Sequence, residues 1–500
     1  MELYPTRTRP PRFYTVSMKK SASFVAPPPL HQELSPYPDP WDVARKLSHL
    51  PHLLMLDSAD ATGPKGRFSY IMAEPYEWES VEEERFGEGA TFDNLGRYIA
   101  NPPRPTLPGL PPFQGGLAFL LGYDLNTETE PSVPLPTRDE FAGPRYCLGL
   151  YDWVVSFDHR SKRAWVVVHG RPEIEKSRKR WLAFDKMTEL LNALHDNSVR
   201  QPAWKPNRPR GPLAVSRLSP QFPLAGSPGV TSNFSREGYL KAVERAVEYV
   251  HAGDVFQVNI AQRLLAPMKG QPLELYGRLR ARNPAPFACY FDLGQSQILS
   301  ASPERFLQVT PDGAVSTTPI KGTRPRGATP EEDAELIRDL TANPKDRAEN
   351  IMIVDLLRND LGRVCDFGSV EVAKLCEVET YPFVHHLVSE VRGRLRTGQT
   401  PFDLLKAAFP GGSVTGAPKV RAMQIIAELE PTARGAYCGS IGYLGFNGCF
   451  DSNILIRTFT AQQGWVQFPV GGGIVADSEP AKEYDETLHK AAGLLRALEP

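Results

Sequence analysis

A proline-rich stretch over residues 201–233 most constrains how this chain of 500 residues can fold. It carries seven prolines and few sustained apolar runs. Because proline removes a backbone donor and cannot continue a helix or a central strand, the stretch predicts a linker or a long surface excursion. It divides the chain into an N-terminal region, 36–200, and a longer region, 234–500. No repeat of about 20 to 50 residues is evident on either side, which argues against a solenoid.

Residues 1–35 are predicted to form a disordered N-terminal arm. The first thirty residues contain five basic side chains and several prolines but no continuous apolar segment. A secretory signal needs an apolar core of about 7 to 15 residues. The arm is therefore not a secretory signal, and Met18 stays an alternative to Met1 as the start of the chain.

Composition excludes several classes of protein. The formal net charge is −1, so there is no basic excess that would recruit nucleic acid. No continuous apolar stretch approaches the roughly 20 residues that span a bilayer, so no membrane association is expected. The six cysteines include no Cys-x-x-Cys or other close pair, which argues against a zinc knuckle or a disulfide framework. A globular cytoplasmic protein fits these features best.

Local patterns predict strands and helices in both regions. Before the proline-rich stretch, residues 116–123 and 165–169 are strand-like, and residues 172–196 have the pattern of a helix. After it, Ser235 is a suitable N-cap for a helix that ends near Gly253. Strand-like runs then alternate with helices to the C-terminus, and that alternation by itself favours a parallel α/β sheet.

Short blocks in the sequence carry a family resemblance. Each is weak alone, but they follow one another in a fixed order: residues 253–259, 302–306, 319–327, 347–350, 411–419 and 483–487. In this order they resemble the chorismate-utilising enzymes, and the resemblance covers about residues 40–497. It implies an α+β fold in place of a parallel sheet: a sandwich of two large, mainly antiparallel sheets flanked by helices. Both regions would then build one body.

Lys321 distinguishes two branches of that family. Members that form anthranilate have a small residue at this position, whereas members that aminate chorismate at C4 have lysine. The resemblance implies that Lys321 attacks C2 of chorismate, since a desolvated primary amine is neutral and nucleophilic. Glu304 is implied to be the general acid that protonates the departing C4 hydroxyl. Without the resemblance, a surface lysine and a surface acid are the alternatives.

Two helices supply carboxylates for a predicted magnesium site. Glu349 is predicted to open one helix, and Glu486 lies on the C-terminal helix. By resemblance both bind Mg²⁺, which prefers hard oxygen ligands, while Glu483 and Asp346 hold metal-bound waters. The family often has glutamate at the position of Asp346. Spacing alone leaves two alternatives open: a first-turn acid at Glu349 and an ordinary helix pair between Glu486 and Lys490.

A dicarboxylate substrate needs cationic and amide donors. Arg457, in a strand-like run, is predicted to bind one carboxylate, with a strand-edge arginine as the alternative. The resemblance adds further substrate-binding positions: Gly322, Thr323, His386, Ser413, Thr415, Tyr437, Gly471, Gly473 and Lys490. A satisfied core histidine remains the alternative for His386. The glycine-rich residues 411–419 do not form a phosphate loop, because Ala417 and Pro418 replace its lysine and hydroxyl residue.

The resemblance implies an enzyme that aminates chorismate at C4 to give 4-amino-4-deoxychorismate for para-aminobenzoate and folate biosynthesis. No cysteine has the setting of a glutaminase nucleophile, so ammonia is expected from a separate glutaminase subunit in a heterodimer. The alternatives are an anthranilate-forming enzyme and a catalytically silent tryptophan-binding subunit. A tryptophan pocket is predicted between Ser58 and a segment with Pro286 and Phe287, although Ser58 is equally suited to a turn.

Overall fold

The computed structural model describes residues 28–61, 63, 65–81, 92, 95–99, 104, 106–196 and 211–499, and its strands form two antiparallel sheets. The strands are β1 (Leu30–Leu34), β2 (Leu54–Asp57), β3 (Phe68–Met72), β4 (Glu77–Val81), β5 (Gly116–Leu121), β6 (Tyr146–Tyr151), β7 (Trp153–Asp158), β8 (Arg163–Val168), β9 (Phe222–Pro223), β10 (Thr231–Ser232), β11 (Gln257–Pro267), β12 (Phe287–Asp292), β13 (Ser296–Ser302), β14 (Arg305–Val309), β15 (Ala314–Thr317), β16 (Ile320–Pro325), β17 (Glu371–Thr380), β18 (Val384–Arg394), β19 (Gly416–Ala417), β20 (Ser440–Gly445), β21 (Phe450–Asn453), β22 (Thr458–Gln462) and β23 (Trp465–Ile474).

Helices cover the sheets. Within the described residues they are α1 (Pro40–Lys46), α2 (Asn126–Thr129), α3 (Lys176–His195), α4 (Arg236–His251), α5 (Pro272–Arg282), α6 (Pro330–Ala342), α7 (Pro344–Gly362), α8 (Pro401–Ala408), α9 (Lys419–Leu429) and α10 (Pro480–Leu498). The helix predicted after Ser235 is α4, and the Gly238 amide donates a hydrogen bond to Ser235 Oγ at 3.0 Å. None of the described helices is both long and apolar enough to cross a membrane.

The order of the strands corrects one expectation and confirms another. The larger sheet runs β1-β8-β7-β3-β2-β12-β13-β22-β23-β11-β10-β9, with β19 also on β11, and the smaller runs β16-β18-β15-β14-β21-β20-β5-β6-β4, with β17 also on β18. Every pairing among these strands is antiparallel. The parallel sheet favoured by alternation alone is wrong, and the α+β arrangement of two large antiparallel sheets is confirmed.

Apolar side chains fill the space between the two sheets. Tyr70 and Phe291 enter it from the larger sheet, and Leu120 and Ile441 from the smaller one. A second cluster joins the larger sheet to α3, α5 and α10, and a third joins the smaller sheet to α7, α8 and α9. Because β2 pairs with β12 and β5 pairs with β20, strands from both sides of the proline-rich stretch share each sheet.

The predicted arm and linker lie partly outside the described residues, which omit 1–27 and 201–210. Leu30–Leu34, near the end of the predicted arm, forms β1 and pairs with β8. The arm therefore ends earlier than predicted. The strand was missed because β1 lies at the edge of the sheet, where backbone hydrogen bonds can hold a strand whose sequence has no alternating apolar pattern. Within 211–233, β9 and β10 pair at the edge of the larger sheet.

Candidate active site

A cavity of about 530 Å³ brings together residues that are far apart in the chain. Its walls come from β11, β16, β23, α7 and α10 and from the turn before β19. Fourteen of the predicted site residues line it: Glu304, Lys321, Gly322, Thr323, Asp346, Glu349, His386, Ser413, Tyr437, Arg457, Gly471, Gly473, Glu486 and Lys490. Blocks separated by more than a hundred residues thus converge on one space.

Lys321 lies on β16 and reaches the cavity. Its Nζ donates a hydrogen bond to the Ser413 carbonyl oxygen at 3.2 Å. Burial lowers the pKa of Lys321, and the Glu349 carboxylate opposes that shift. The next residue, Gly322, has a φ of 81°, and a Cβ there would stand 3.0 Å from Asp346 Cγ. Glycine therefore lets β16 pass close to α7, which holds Lys321 beside the carboxylates of that helix.

Glu304 is a buried carboxyl in the same cavity, with 4% of its surface exposed. Its backbone is fixed at both ends, because its amide donates to Ser302 Oγ at 3.3 Å and its carbonyl accepts from the Ile454 amide at 3.2 Å. Burial raises the pKa of Glu304 to about 7, and the positive charge of Lys321 partly opposes the rise. A carboxyl with such a pKa can hold and release a proton near neutral pH.

Carboxylates from α7 and α10 lie at the cavity, with Glu349 and Glu486 in its lining and Glu483 just outside it. Burial raises the pKa of Glu349 and of Glu483. Burial would also raise the pKa of Glu486, but Lys490, at 2.6 Å, together with Lys345 and Lys321 outweighs this effect and the pKa is lowered. A Cβ on Gly472 would lie 3.3 Å from Glu483 Oε2 and 3.4 Å from Glu486 Oε1. The glycine thus leaves space directly in front of two carboxylates.

The donor chemistry of these carboxylates suits a hard divalent cation such as Mg²⁺. As placed, no group of three or more His, Cys, Asp or Glu side chains in the described part of the chain converges on one point. Ammonium groups stand at the carboxylates instead, with Lys490 at 2.6 Å from Glu486 and Lys345 at 3.8 Å from Glu483. The carboxylates are therefore ligands of the type that such an ion prefers, and the ammonium groups of Lys490 and Lys345 balance their negative charge.

The helix that carries Glu349 begins earlier than predicted. α7 starts at Pro344, and Asn343 Oδ1 caps it by accepting a hydrogen bond from the Asp346 amide at 3.0 Å. Glu349 therefore lies in the second turn, and the prediction that it opens the helix is wrong. The Asn-Pro pair is the start signal that the sequence analysis passed over.

Cationic and backbone groups form another part of the cavity lining. Arg457 was predicted to lie in a strand-like run, but the structure places it directly before β22, with a φ of 53°. Its Nη1 donates to the Lys490 carbonyl oxygen at 2.8 Å, and Lys490 Nζ donates to the Gly471 carbonyl oxygen at 2.9 Å. A Cβ on Gly473 would come within 1.9 Å of Gln257 Nε2. A side chain at this position would require Gln257 to move, and glycine avoids that and leaves the backbone of β23 accessible to an anion.

The remaining predicted residues divide into those at the cavity and those behind it. His386 Nδ1 and Thr323 Oγ1 are 2.9 Å apart, and burial lowers the pKa of His386 to about 3, so the ring is neutral near pH 7. Thr415 is not brought to the cavity: its Oγ1 donates to the Gly411 carbonyl oxygen at 3.0 Å and stabilises the turn. Glu483 lies behind Gly472 and accepts a hydrogen bond from Ser478 at 2.7 Å.

Sequence reasoning missed several residues that line the cavity, among them Asn259, Arg324, Lys345 and His489. Arg324 Nη2 donates to the Asp346 carboxylate at 3.0 Å. Asn259 and Arg324 belong to the blocks at 253–259 and 319–327, which was the available signal. Neither was selected, because a block match does not say which of its side chains face inward.

A second cavity, of about 290 Å³, contains the residues predicted to bind tryptophan: Ser58, Pro286 and Phe287. Ser58 Oγ donates to the Phe68 carbonyl oxygen at 2.6 Å and lies 3.3 Å from the Pro286 carbonyl oxygen. Lys65 adds a cationic group to the same wall. The cavity thus combines aromatic and charged groups.

Comparison with known proteins agrees with the fold. Residues 53–496 match the family described as chorismate binding enzyme. The chain is 40% identical to aminodeoxychorismate synthase component 1 of Escherichia coli, covering 91% of this chain and 95% of that protein. It is 38% identical to anthranilate synthase component 1 of Pseudomonas aeruginosa, covering 93% and 94%. The solved structure of anthranilate synthase component I from Streptococcus pneumoniae superposes with a TM-score of 0.71 at 32% identity, covering 86% and 92%. The chain belongs to the family of chorismate-binding enzymes.

Proposed function

We propose that this protein aminates chorismate at C4 with ammonia, giving 4-amino-4-deoxychorismate for para-aminobenzoate and folate biosynthesis. The observation that carries the proposal is a partly buried amine, Lys321, in the same cavity as a buried carboxyl, Glu304, whose pKa burial raises to about 7. The amine can act as a nucleophile and the carboxyl as a general acid. The similarity to aminodeoxychorismate synthase component 1 supports the same function.

The first displacement forms a covalent intermediate. The neutral Nζ of Lys321 attacks C2 of chorismate, the two ring double bonds shift towards C4, and the bond from C4 to its hydroxyl oxygen breaks. Glu304 gives its proton to that oxygen, so water leaves in place of hydroxide. Burial lowers the pKa of Lys321, which increases the neutral fraction of the amine that can attack.

The second displacement reverses the shift. Ammonia attacks C4, the double bonds return, and the bond between C2 and Nζ breaks so that Lys321 leaves as a neutral amine. Glu304, now a carboxylate, takes one proton from the new C4 ammonium. The lysine and the acid are restored, and two successive displacements leave the configuration at C4 unchanged.

The other cavity residues bind and orient the substrate in this proposal. Arg457 and Lys490 hold one carboxylate together with the backbone amides of β23, and Gly322 and Thr323 meet the other. The amides of β23 in question are those of Gly471 and Gly473, and Tyr437 joins them at the first carboxylate. His386 is assigned a place beside the ring, and Ser413 borders the substrate. Glu349 and Glu486 would hold Mg²⁺, with Glu483 beside them, and the bound ion would neutralise the ring carboxylate.

A separate glutaminase subunit is the proposed source of ammonia. All six cysteines lie within the described residues and are buried. Burial raises the pKa of Cys438 and of Cys449 to about 12, which is the opposite of an activated thiol. The similar proteins carry the designation component 1, and a partner that hydrolyses glutamine would complete the enzyme.

The identity of the product tests the proposal. Purified protein incubated with chorismate, an ammonium salt and Mg²⁺ is expected to release 4-amino-4-deoxychorismate, which yields para-aminobenzoate only after a lyase is added. Fluorescent anthranilate formed without any lyase would reject C4 amination in favour of the anthranilate-forming branch. Chromatography of the mixture with and without the lyase separates the two outcomes.

The second cavity is proposed to bind tryptophan. Its lining offers Phe68 and Phe287 for an indole ring, and Asp57 and Lys65 for the amino and carboxylate groups. We expect isothermal calorimetry to detect tryptophan binding, and the free energy of unfolding to rise by about 2.7 kcal/mol at a hundredfold excess over Kd. Alanine at the same concentration is the control. If tryptophan produces no heat of binding and no stabilisation, the cavity is not an amino-acid site.

A further inference from the structure

We propose that Arg434 and Glu430 form a positioning pair that sets the orientation of the Lys321 amine without touching the substrate. This inference rests on the proposed function, in which Lys321 is the nucleophile. Neither member of the pair lines the active cavity. Their effect on the reaction passes through the turn formed by residues 411–415.

The pair is buried and holds one geometry. Arg434 Nε donates to Glu430 Oε2 at 2.9 Å and Nη2 donates to Oε1 at 2.6 Å. The side chains are 2% and 6% exposed. Two remaining bonds go to backbone oxygens, from Nη1 to Val414 at 3.1 Å and from Nη2 to Asn259 at 2.9 Å. One rigid guanidinium therefore joins three separate segments.

Both of these backbone oxygens belong to residues of the cavity wall. Val414 directly follows Ser413, whose carbonyl oxygen accepts the hydrogen bond from Lys321 Nζ at 3.2 Å. Asn259 lies on β11 opposite Gly473, and its amide donates to the Thr415 carbonyl oxygen at 2.8 Å. Arg434 thus binds two segments at once. One is the 411–415 turn, which accepts the hydrogen bond from the Lys321 amine, and the other is β11, which pairs with the glycines of β23.

Glu430 completes the clamp. Its Oε1 also accepts a hydrogen bond from the Ala261 amide at 2.9 Å, two residues along β11 from Asn259. The ring of Tyr437, a cavity residue, lies 5.7 Å from the Arg434 guanidinium carbon. Lysine at position 434 could keep the ion pair with Glu430, but a compact ammonium cannot match the planar fork that reaches Val414 and Asn259 together.

Arg263 and Glu140 provide a matched control. They form another buried pair, 5% and 8% exposed, with Arg263 also on β11. Arg263 Nη2 donates to Glu140 and to Ser219 Oγ, the latter at 2.9 Å. Neither member lines the active cavity. Substitution of Arg263 by lysine therefore tests the loss of a buried guanidinium without disturbing the turn that receives Lys321.

The experiment compares Arg434→Lys, Arg263→Lys and wild type in single-turnover reactions with chorismate and Mg²⁺ but without ammonia. Quenched samples give the rate of covalent adduct formation by intact-protein mass spectrometry, and equilibrium titration gives the affinity for chorismate. We expect Arg434→Lys to slow adduct formation about 10- to 100-fold, the range expected for a misplaced reacting group, with little change in affinity. Arg263→Lys is expected to react at the wild-type rate.

An adduct formed by Arg434→Lys at the wild-type rate would overturn this inference alone, as would equal slowing by Arg263→Lys. A wild-type protein that forms no adduct would overturn the proposed function and this inference with it. Should Arg434→Lys fail to fold, Glu430→Gln carries the test, because it keeps the guanidinium but weakens its anchor. A smaller slowing, about threefold or more, is then expected, and an unchanged rate would contradict the positioning role.

Discussion

Replacing Lys321 by alanine is expected to lower the rate of C4 amination by a factor of about 10³ or more while chorismate still binds. The large effect follows because the alanine variant has no nucleophile for the first displacement. Arg457, Lys490 and the glycine backbone of β23 remain in place, so the affinity for chorismate is expected to change little. Steady-state kinetics with ammonium, coupled to a lyase, measures the rate, and equilibrium titration measures the affinity.

Lys419→Met is the matched control for that experiment. Lys419 is also a largely buried lysine, but its Nζ donates to Asp360 and to the Ala408 carbonyl oxygen, both at 2.7 Å, away from the active cavity. The variant is expected to be less stable, since it leaves Asp360 without its counterion, and to keep its amination rate while folded. An alanine variant at position 321 with full C4 amination would show that the amine is not the nucleophile.

Glu304→Gln is expected to reduce the rate of adduct formation by a factor of about 10² to 10⁴, the usual contribution of a general acid. Glutamine keeps the shape of the side chain but cannot give a proton to the C4 hydroxyl. Glu140→Gln, at a buried carboxylate outside the cavity, is the control. An undiminished rate in Glu304→Gln would mean that another group protonates the leaving oxygen.

The same residue sets a pH dependence. Burial raises the pKa of Glu304 to about 7, so the carboxyl is protonated below that pH and loses its proton above it. Raising the pH also increases the neutral fraction of Lys321, in the wild type and in Glu304→Gln alike. We therefore expect the ratio of the wild-type rate of adduct formation to that of Glu304→Gln to fall about tenfold per pH unit well above pH 7, because only the wild type depends on a protonated acid. A ratio that stays constant through pH 8 to 9 would contradict the assignment of the acid.

The sequence predicted which residues line the cavity better than it predicted how the strands and helices that carry them are arranged. Lys321 and Glu304 lie in blocks that resemble one family, Arg457 was predicted from a separate strand-like run, and the fold brings all three to one cavity. The family resemblance supplied the antiparallel sheets, because helix and strand alternation identifies elements without specifying their partners. A helix start was misplaced at Glu349, although Asn343 and Pro344 carried the signal for it.

Two features had no usable sequence signal. Thr415 belongs to a matching block, yet its hydroxyl turns inward to the Gly411 carbonyl oxygen, and a block match cannot distinguish a wall residue from one that stabilises the turn behind it. Glu430 and Arg434 have the spacing of an ordinary exposed helix pair. Their burial depends on β11 and the 411–415 turn, which are distant in the chain and meet only in the folded protein.

Covalent capture at Lys321 tests the central claim most directly. Wild-type protein incubated with chorismate and Mg²⁺ in the absence of ammonia is expected to gain the mass of chorismate less one water, and peptide mapping is expected to place that mass on Lys321. Lys321→Ala should gain nothing, and added ammonium should release the adduct from the wild type. A wild type that never carries the adduct, or one that carries it on another residue, would contradict nucleophilic catalysis by Lys321.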